Sequence, residues 1–171
     1  GGESTRPGAK EVSSTIEIER IIGVIKKIKK SVPSAIISVD TRKSIVAEKA
    51  LEAGASMVND ISAGSFDKEM FEVVAKHRAG ICLMHSQGLP ENMQKNPQYD
   101  EILLDLYDYF EEKIAEAQSK GIPREKILID PGLGFGKKLH HNLEIINKIS
   151  LFLGLGLPVM IGISRKSFIG E

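Results

Sequence analysis

The stretch "AIISVDTRKSIVAEKALEAGASMVND", residues 35–60, decides the fold. It holds two short β-branched runs, "AIISVD" (35–40) and "ASMVND" (55–60), each ending in a group with chemistry. Between them Ile45, Val46, Ala50 and Leu51 recur at helical spacing, and Gly54 stops the helix. Strands joined by a crossover helix run parallel. Parallel strands are covered on both faces, which agrees with their near-continuous apolar character.

The same alternation continues outward. Upstream, Ile18, Ile21, Ile22, Ile25, Ile28 and Val32 predict a helix that Pro33 ends. Downstream, Asp67 is a candidate N-cap for a helix through Met70, Phe71, Val73 and Val74 to about residue 79. "GICLMH" (80–85) is the third strand, and a helix over about 99–120 ends at Gly121 and Pro123. "KILID" (126–130) is the fourth strand, Leu143, Ile146, Ile149 and Phe152 mark the next helix, and "PVMIGIS" (158–164) is the fifth strand. Residues 1–171 therefore read as a single α/β domain.

Two architectures fit: an open doubly wound sheet, or part of an eight-stranded β/α barrel. The strands end in Asp40, Asn59-Asp60, His85, Asp130 and Ser164-Arg165-Lys166. An open sheet gathers its chemistry at one switch point, whereas all the strand ends of a barrel converge on one mouth. Functional groups on every strand end favour the barrel. Five strands cannot close a barrel that needs eight and typically about 250 residues. The chain is expected to be an interior piece of a TIM (β/α)8 barrel, strands three to seven with their helices, truncated at both ends.

Lys+Arg (23) balance Asp+Glu (23), so there is no electrostatic footprint for nucleic acid or an acidic membrane. Lys26, Lys27, Lys29 and Lys30 read as the solvated face of a helix. The single cysteine, Cys82, excludes an intrachain disulfide and reads as a buried inert thiol, in keeping with a cytoplasmic setting. No apolar run reaches the ~18 residues a membrane span needs.

"DPGLGFGKK" (130–138) has the glycines of a phosphate loop but neither the Walker nor the dinucleotide spacing. What remains is Asp130 at a strand end, then glycines that let the backbone and Phe135 approach a ligand closely. Asp40 and Asn59 end neighbouring strands, where an unpaired buried polar group costs about 1–3 kcal/mol. A planar heterocycle presenting amine and ring N–H donors would pair with both, and with Asp130. The competing reading has Asp40 and Asn59 capping the helices that follow, with Thr41 able to cap equally well. Lys166, in "SRKS", can meet a ring carbonyl or a developing negative charge, and Ser167 can open a helix that favours an anion. "HSQGLPENMQKNPQ" (85–98) is a long aperiodic loop of the kind that is functional or mobile. Cys82 and His85, three apart on a strand, face opposite sides, and His140-His141 lie far away, so no metal cluster is predicted. No serine stands in a nucleophile elbow.

Seven stretches, "GGESTRPGA", "ISVDTRK", "VNDI", "MHSQGLPENMQ", "DPGLGFGK", "HNLEII" and "GISRKSFIG", follow one another along essentially the whole chain. With them the sequence resembles the dihydropteroate synthases, the pterin-binding β/α-barrel transferases of folate biosynthesis. The resemblance implies that 4-aminobenzoate is joined to (7,8-dihydropterin-6-yl)methyl diphosphate, with release of diphosphate. It implies that Thr5, Asp40, Asn59, Asp130 and Lys166 bind the pterin, with Ile61 and Met84 lining the pocket. Thr5, Arg6 and Pro7, on the loop after strand two, would close over the site; with Phe135 and Ser167 they would border the aminobenzoate. Asp40, Lys166 and Arg6 would carry the catalysis.

The resemblance further implies Mg2+ bound with the diphosphate, sulfonamides as competitors, and a homodimer. The family's first-strand Asn, which helps hold the Mg2+, and its eighth-strand Arg and His are absent, so no metal ligand is expected in this chain. The chain alone is expected to be inactive, with its first loop poorly anchored. A pterin-binding methyltransferase domain and a non-catalytic pterin-binding paralogue remain as alternatives.

Overall fold

A computed structural model describes residues 1–88, 90–164, 166 and 169. Four strands, β1 (Ser38–Asp40), β2 (Met57–Asp60), β3 (Gly80–Met84) and β4 (Ile127–Asp130), form a parallel sheet in the order β1-β2-β3-β4. Strand order equal to chain order means that each crossover advances the sheet in one direction. A doubly wound sheet reverses at a switch point, and this sheet does not, so the α/β fold is a segment of a β/α barrel. The register places Asp40 beside Asn59 and Met84 beside Asp130. Four of the expected site positions thus sit at one end of the sheet.

The helices follow from the apolar spacing. α1 (Ser14–Ser31) opens on Ser13, whose Oγ accepts from the amide of Ile16 at 3.3 Å, and ends before Pro33. α2 (Ser44–Glu52), α3 (Met70–Lys76) and α4 (Ile102–Ser119) bury Val46 and Ala50, Phe71 and Val74, and Leu106 and Phe110. These pack on Val39, Val58, Ile81, Leu83 and Ile129 of the strands. α5 (Leu139–Asn147) and the short α6 (Ser150–Leu153) close the far side, where Phe152 meets Phe110 edge-on at 6.1 Å. Among the described residues no helix is long and apolar enough to cross a membrane.

Three expectations are corrected. The fifth strand at 158–164 is reduced to a single parallel bridge, Val159 to Ile129. Two ladder bonds hold it, Ile129 N–H to Pro158 O at 3.1 Å and Met160 N–H to Ile129 O at 2.8 Å. Ile161 and Ile163 beyond it are exposed, so nothing buries the second half of the run. Asp67 does not simply cap α3. One carboxylate oxygen accepts from the amide of Glu69 at 3.1 Å, while the other accepts from Ser44, the first residue of α2, at 2.7 Å. One acid therefore serves two helix starts.

The first loop is also tightly anchored. Glu3 accepts from Lys43 Nζ at 2.6 Å, Arg42 Nε at 3.0 Å and the amide of Val12 at 2.9 Å. Lys43 reaches on to buried Glu17 at 3.1 Å and to the carbonyl of Val12 at 2.7 Å. This ionic knot ties the loop to α1 and to the start of α2.

Candidate active site

The strand ends and the loops behind them enclose a cavity of about 180 Å³. Asp40 and Asn59 line it from β1 and β2, Ile61 and Met84 form its apolar wall, and Asp130 and Lys166 stand opposite. Thr5 and Phe135 complete the rim, and Lys166 Nζ lies 4.2 Å from the centre of the Phe135 ring. A larger hollow of about 400 Å³ lies beyond Ile61, between Arg42, Phe66 and Ser86, but it holds none of these carboxylates or the lysine.

Asn59 Nδ2 donates to Asp40 Oδ2 at 3.3 Å, which leaves Asp40 Oδ1 and Asn59 Oδ1 buried and without a partner. Neither side chain caps a helix. The amide of Lys43 bonds to Thr41 Oγ1 at 3.3 Å and that of Ser44 to Asp67. The neighbouring Asp60 points away and is fully satisfied, accepting from Ser62 N–H, Ser62 Oγ and Gly64 N–H at 2.7–2.8 Å. Period-2 alternation along β2 separates the two roles: Asn59 is offered to the cavity, while Asp60 folds the loop that follows.

Burial pushes the carboxyl of Asp40 above the ordinary carboxylate value, against the hydrogen bond from Asn59. It pushes Asp130 up as well, opposed by the amide of Gly132, which donates to Oδ1 at 2.8 Å, and by the charges of Lys166 and Lys137. Burial lowers the ammonium of Lys166, and Asp130 restores part of the loss. The cavity is thus a largely buried site in which hydrogen-bond donors to either acid favour its charged form. Burial and three nearby carboxylates push the thiol of Cys82 up, which keeps it inert.

Not every sequence candidate arrives. Arg6 and Pro7 are exposed and outside the cavity lining. Glu3 pins the chain just before them, and the amide of Gly8 donates to Pro90 O at 3.0 Å, which carries the tip of the loop outward. Ser167 and Arg165 lie outside the described residues. His85, a strand-end group, is buried below the cavity rather than lining it. Sequence reasoning missed Glu3 and Lys137. The only hints were an acid inside the first loop and a second lysine after "GFG". Among the described residues no group of three or more His, Cys, Asp or Glu side chains is placed to hold a metal ion.

A parallel barrel segment whose mouth gathers unpaired buried acceptors and a lysine can offer hydrogen-bond partners to a flat heterocycle. The family model described as pterin binding enzyme matches residues 1–171, and the chain belongs to that family. It is 43% identical over 171 residues to the dihydropteroate synthase of Escherichia coli (strain K12), covering all of this chain and 60% of that protein. The structure of Yersinia pestis dihydropteroate synthase with a sulfonamide drug complex matches at a TM-score of 0.95 and 40% identity, covering 99% of this chain and 61% of that one. That of Clostridium difficile dihydropteroate synthase in the presence of pteroic acid matches at 0.92 and 43%, covering 99% and 62%. The chain spans about 60% of the length of these three relatives.

Proposed function

We propose that this sequence forms part of a dihydropteroate synthase, in which 4-aminobenzoate displaces diphosphate from (7,8-dihydropterin-6-yl)methyl diphosphate to give 7,8-dihydropteroate. Residues 1–171 would all belong to one pterin-binding barrel domain. The observation that carries the reading is the pair of orphaned acceptors, Asp40 Oδ1 and Asn59 Oδ1, on residues that line one cavity with Asp130 and Lys166. A 2-amino-4-oxo-pteridine edge supplies the missing donors. Its amine and ring N–H groups would go to Asp40, Asn59 and Asp130, and its carbonyl would accept from Lys166.

The chemistry asks little covalent work of the protein. Departure of the diphosphate leaves positive charge on the exocyclic carbon, spread into the electron-rich ring, and the carboxylates around that ring stabilise it. The aromatic amine then attacks, and positioning supplies much of the remaining acceleration. Phe135 and Thr5 at the rim would border the incoming amine. Arg6, although exposed here, sits on the loop that would have to close, and Ser167, outside the described residues, would be a further neighbour of the aminobenzoate. Mg2+ would enter with the diphosphate. The described residues do not form a site for it.

A homodimer, competition by sulfonamides and a cytoplasmic setting belong to the same proposal. The Yersinia pestis structure with a sulfonamide drug complex supports the second, the free buried Cys82 the third, and the homodimer rests on the sequence resemblance alone. The test uses the full-length protein. It is expected to bind pteroic acid and to release diphosphate only when both substrates are present. Asp130→Asn is expected to lower pteroic acid affinity by about 100-fold, the scale of a charge-assisted bidentate contact. Unchanged affinity in that variant would overturn the pterin assignment. Pterin binding without diphosphate release would favour a non-catalytic paralogue.

A further inference from the structure

Lys137 lies beneath the cavity and is only 3% exposed. Its Nζ stands 2.9 Å from His85 Nδ1 and donates to two carbonyls, His85 O at 3.3 Å and Phe135 O at 3.0 Å. His85 directly follows Met84, one cavity wall, and Phe135 is another. A single side chain therefore ties the end of β3 to the glycine loop after β4. Tyrosines reinforce the tie: Tyr99 Oη donates to Gly136 O at 2.7 Å, and Tyr109 meets the His85 ring edge-on at 4.8 Å.

An ammonium at this depth is costly, and an apolar side chain would fill the space without that cost. Among the described residues no carboxylate comes within ion-pair distance of it. The charges that reach it are Asp130, which favours the ammonium, and Lys166, which opposes it. Both ammonium groups favour the charged form of Asp130.

We propose that Lys137 is a positioning residue for the ring site. Its ammonium holds Phe135 against the end of β3 and adds positive charge near Asp130, the acceptor for a bound pterin. This rests on the pterin reading of the cavity. The groups facing Lys137 make its titration distinguishable. Burial, with Lys137's own charge, pulls His85 well below its ordinary value, so His85 stays neutral. Burial pushes Tyr99 and Tyr109 up, so they stay neutral too. Burial and neighbouring charges, Lys137 among them, lower His141. Lys137 itself is lowered to about 7 by burial, against Asp130.

The signs of affinity and stability then diverge. Protonated Lys137 supports binding, so affinity is highest below about pH 7 and falls above it. The unfolded chain keeps that proton to the ordinary lysine value, near 10.5, so folding stability rises with pH from about 7 towards 10.5. A residue that only supported the fold would not move the two in opposite directions.

The experiment titrates pteroic acid onto the full-length wild type, Lys137→Met and Lys137→Gln between about pH 6 and about pH 8.5. Wild-type affinity is expected to fall by about tenfold across that range, the scale of one charged hydrogen bond. Lys137→Met is expected to bind about tenfold more weakly at pH 6 and to lack the step, while its unfolding midpoint there does not drop. Lys137→Gln, which keeps a donor, regains part of the affinity but not the step. Ionisation of the ligand itself is common to all three proteins and cancels in the comparison. Should the Met variant fail to fold, wild type against Gln decides by the same step. A Met or Gln variant that keeps the wild-type pH step overturns the proposal, and so does a Met variant with wild-type affinity. Wild-type protein that binds no pteroic acid at any pH overturns the pterin reading instead.

Discussion

Asp40 holds one carboxylate oxygen without a partner, and burial raises its carboxyl above the ordinary value. A raised folded value means that the protonated form stabilises the fold and that this stability is lost as pH rises past it. Asp40→Asn is therefore expected to raise stability at pH 7 by about 1 kcal/mol, the cost of one unsatisfied buried acceptor. The gain should shrink towards pH 4, where the acid is already protonated, and pteroic acid affinity should fall at least about tenfold. Melting curves at both pH values, with a binding titration, check this. Asp40, Asn59 and Asp130 were legible because each ends an apolar run, and chemistry at the end of such a run points out of the core. Lys137 was not, because its partner His85 lies 52 positions away and nothing local marks the pair.

Among the elements, the glycine loop after β4 sets how closely the walls approach. Gly132 has φ +68, and a Cβ there would stand 2.0 Å from the carbonyl oxygen of His85. Gly132→Ala is expected to cost at least about 2 kcal/mol, from the left-handed conformation and the backbone collision together. Gly8, at φ +78 with nothing within 4 Å, carries only the first of these. Gly8→Ala should cost about 1 kcal/mol. Denaturant unfolding of both variants separates conformation from contact; equal costs would show that the approach to His85 is not what Gly132 serves. The alternation of strands and helices was plain in the sequence. The weakness of the last strand was not, since an apolar β-branched run reads the same whether one edge or two find partners.

Across the whole molecule, the knot of Glu3, Lys43 and Glu17 joins residues up to 40 positions apart. Lys43→Met would leave two carboxylates facing each other with their shared cation gone, at a cost of about 3–5 kcal/mol. Burial pulls Glu3 upward, but Lys43, the amide of Val12 and Arg42 outweigh it, so its value falls below the ordinary 4.5. That stability is complete above 4.5 and is lost as pH falls through the lower folded value. For Lys43, burial is outweighed by Glu3 and Glu17, and the value rises above 10.5. Its contribution is complete below 10.5 and is lost as pH climbs beyond the folded value. The protection factor of the Val12 amide, its exchange relative to an unprotected amide at the same pH, should accordingly stay constant between about pH 4.5 and about pH 10.5, and Lys43→Met should lower it.

By itself the sequence determined the parallel α/β alternation, the barrel direction and the polar strand ends, because spacing and chain order are local properties. Only the tertiary structure decided that Arg6 and Pro7 turn outward, that Glu3 anchors the first loop, and that Lys137 lies beneath the site. Those outcomes depend on charges and carbonyls brought together from distant parts of the chain, and no local pattern records which of them will meet.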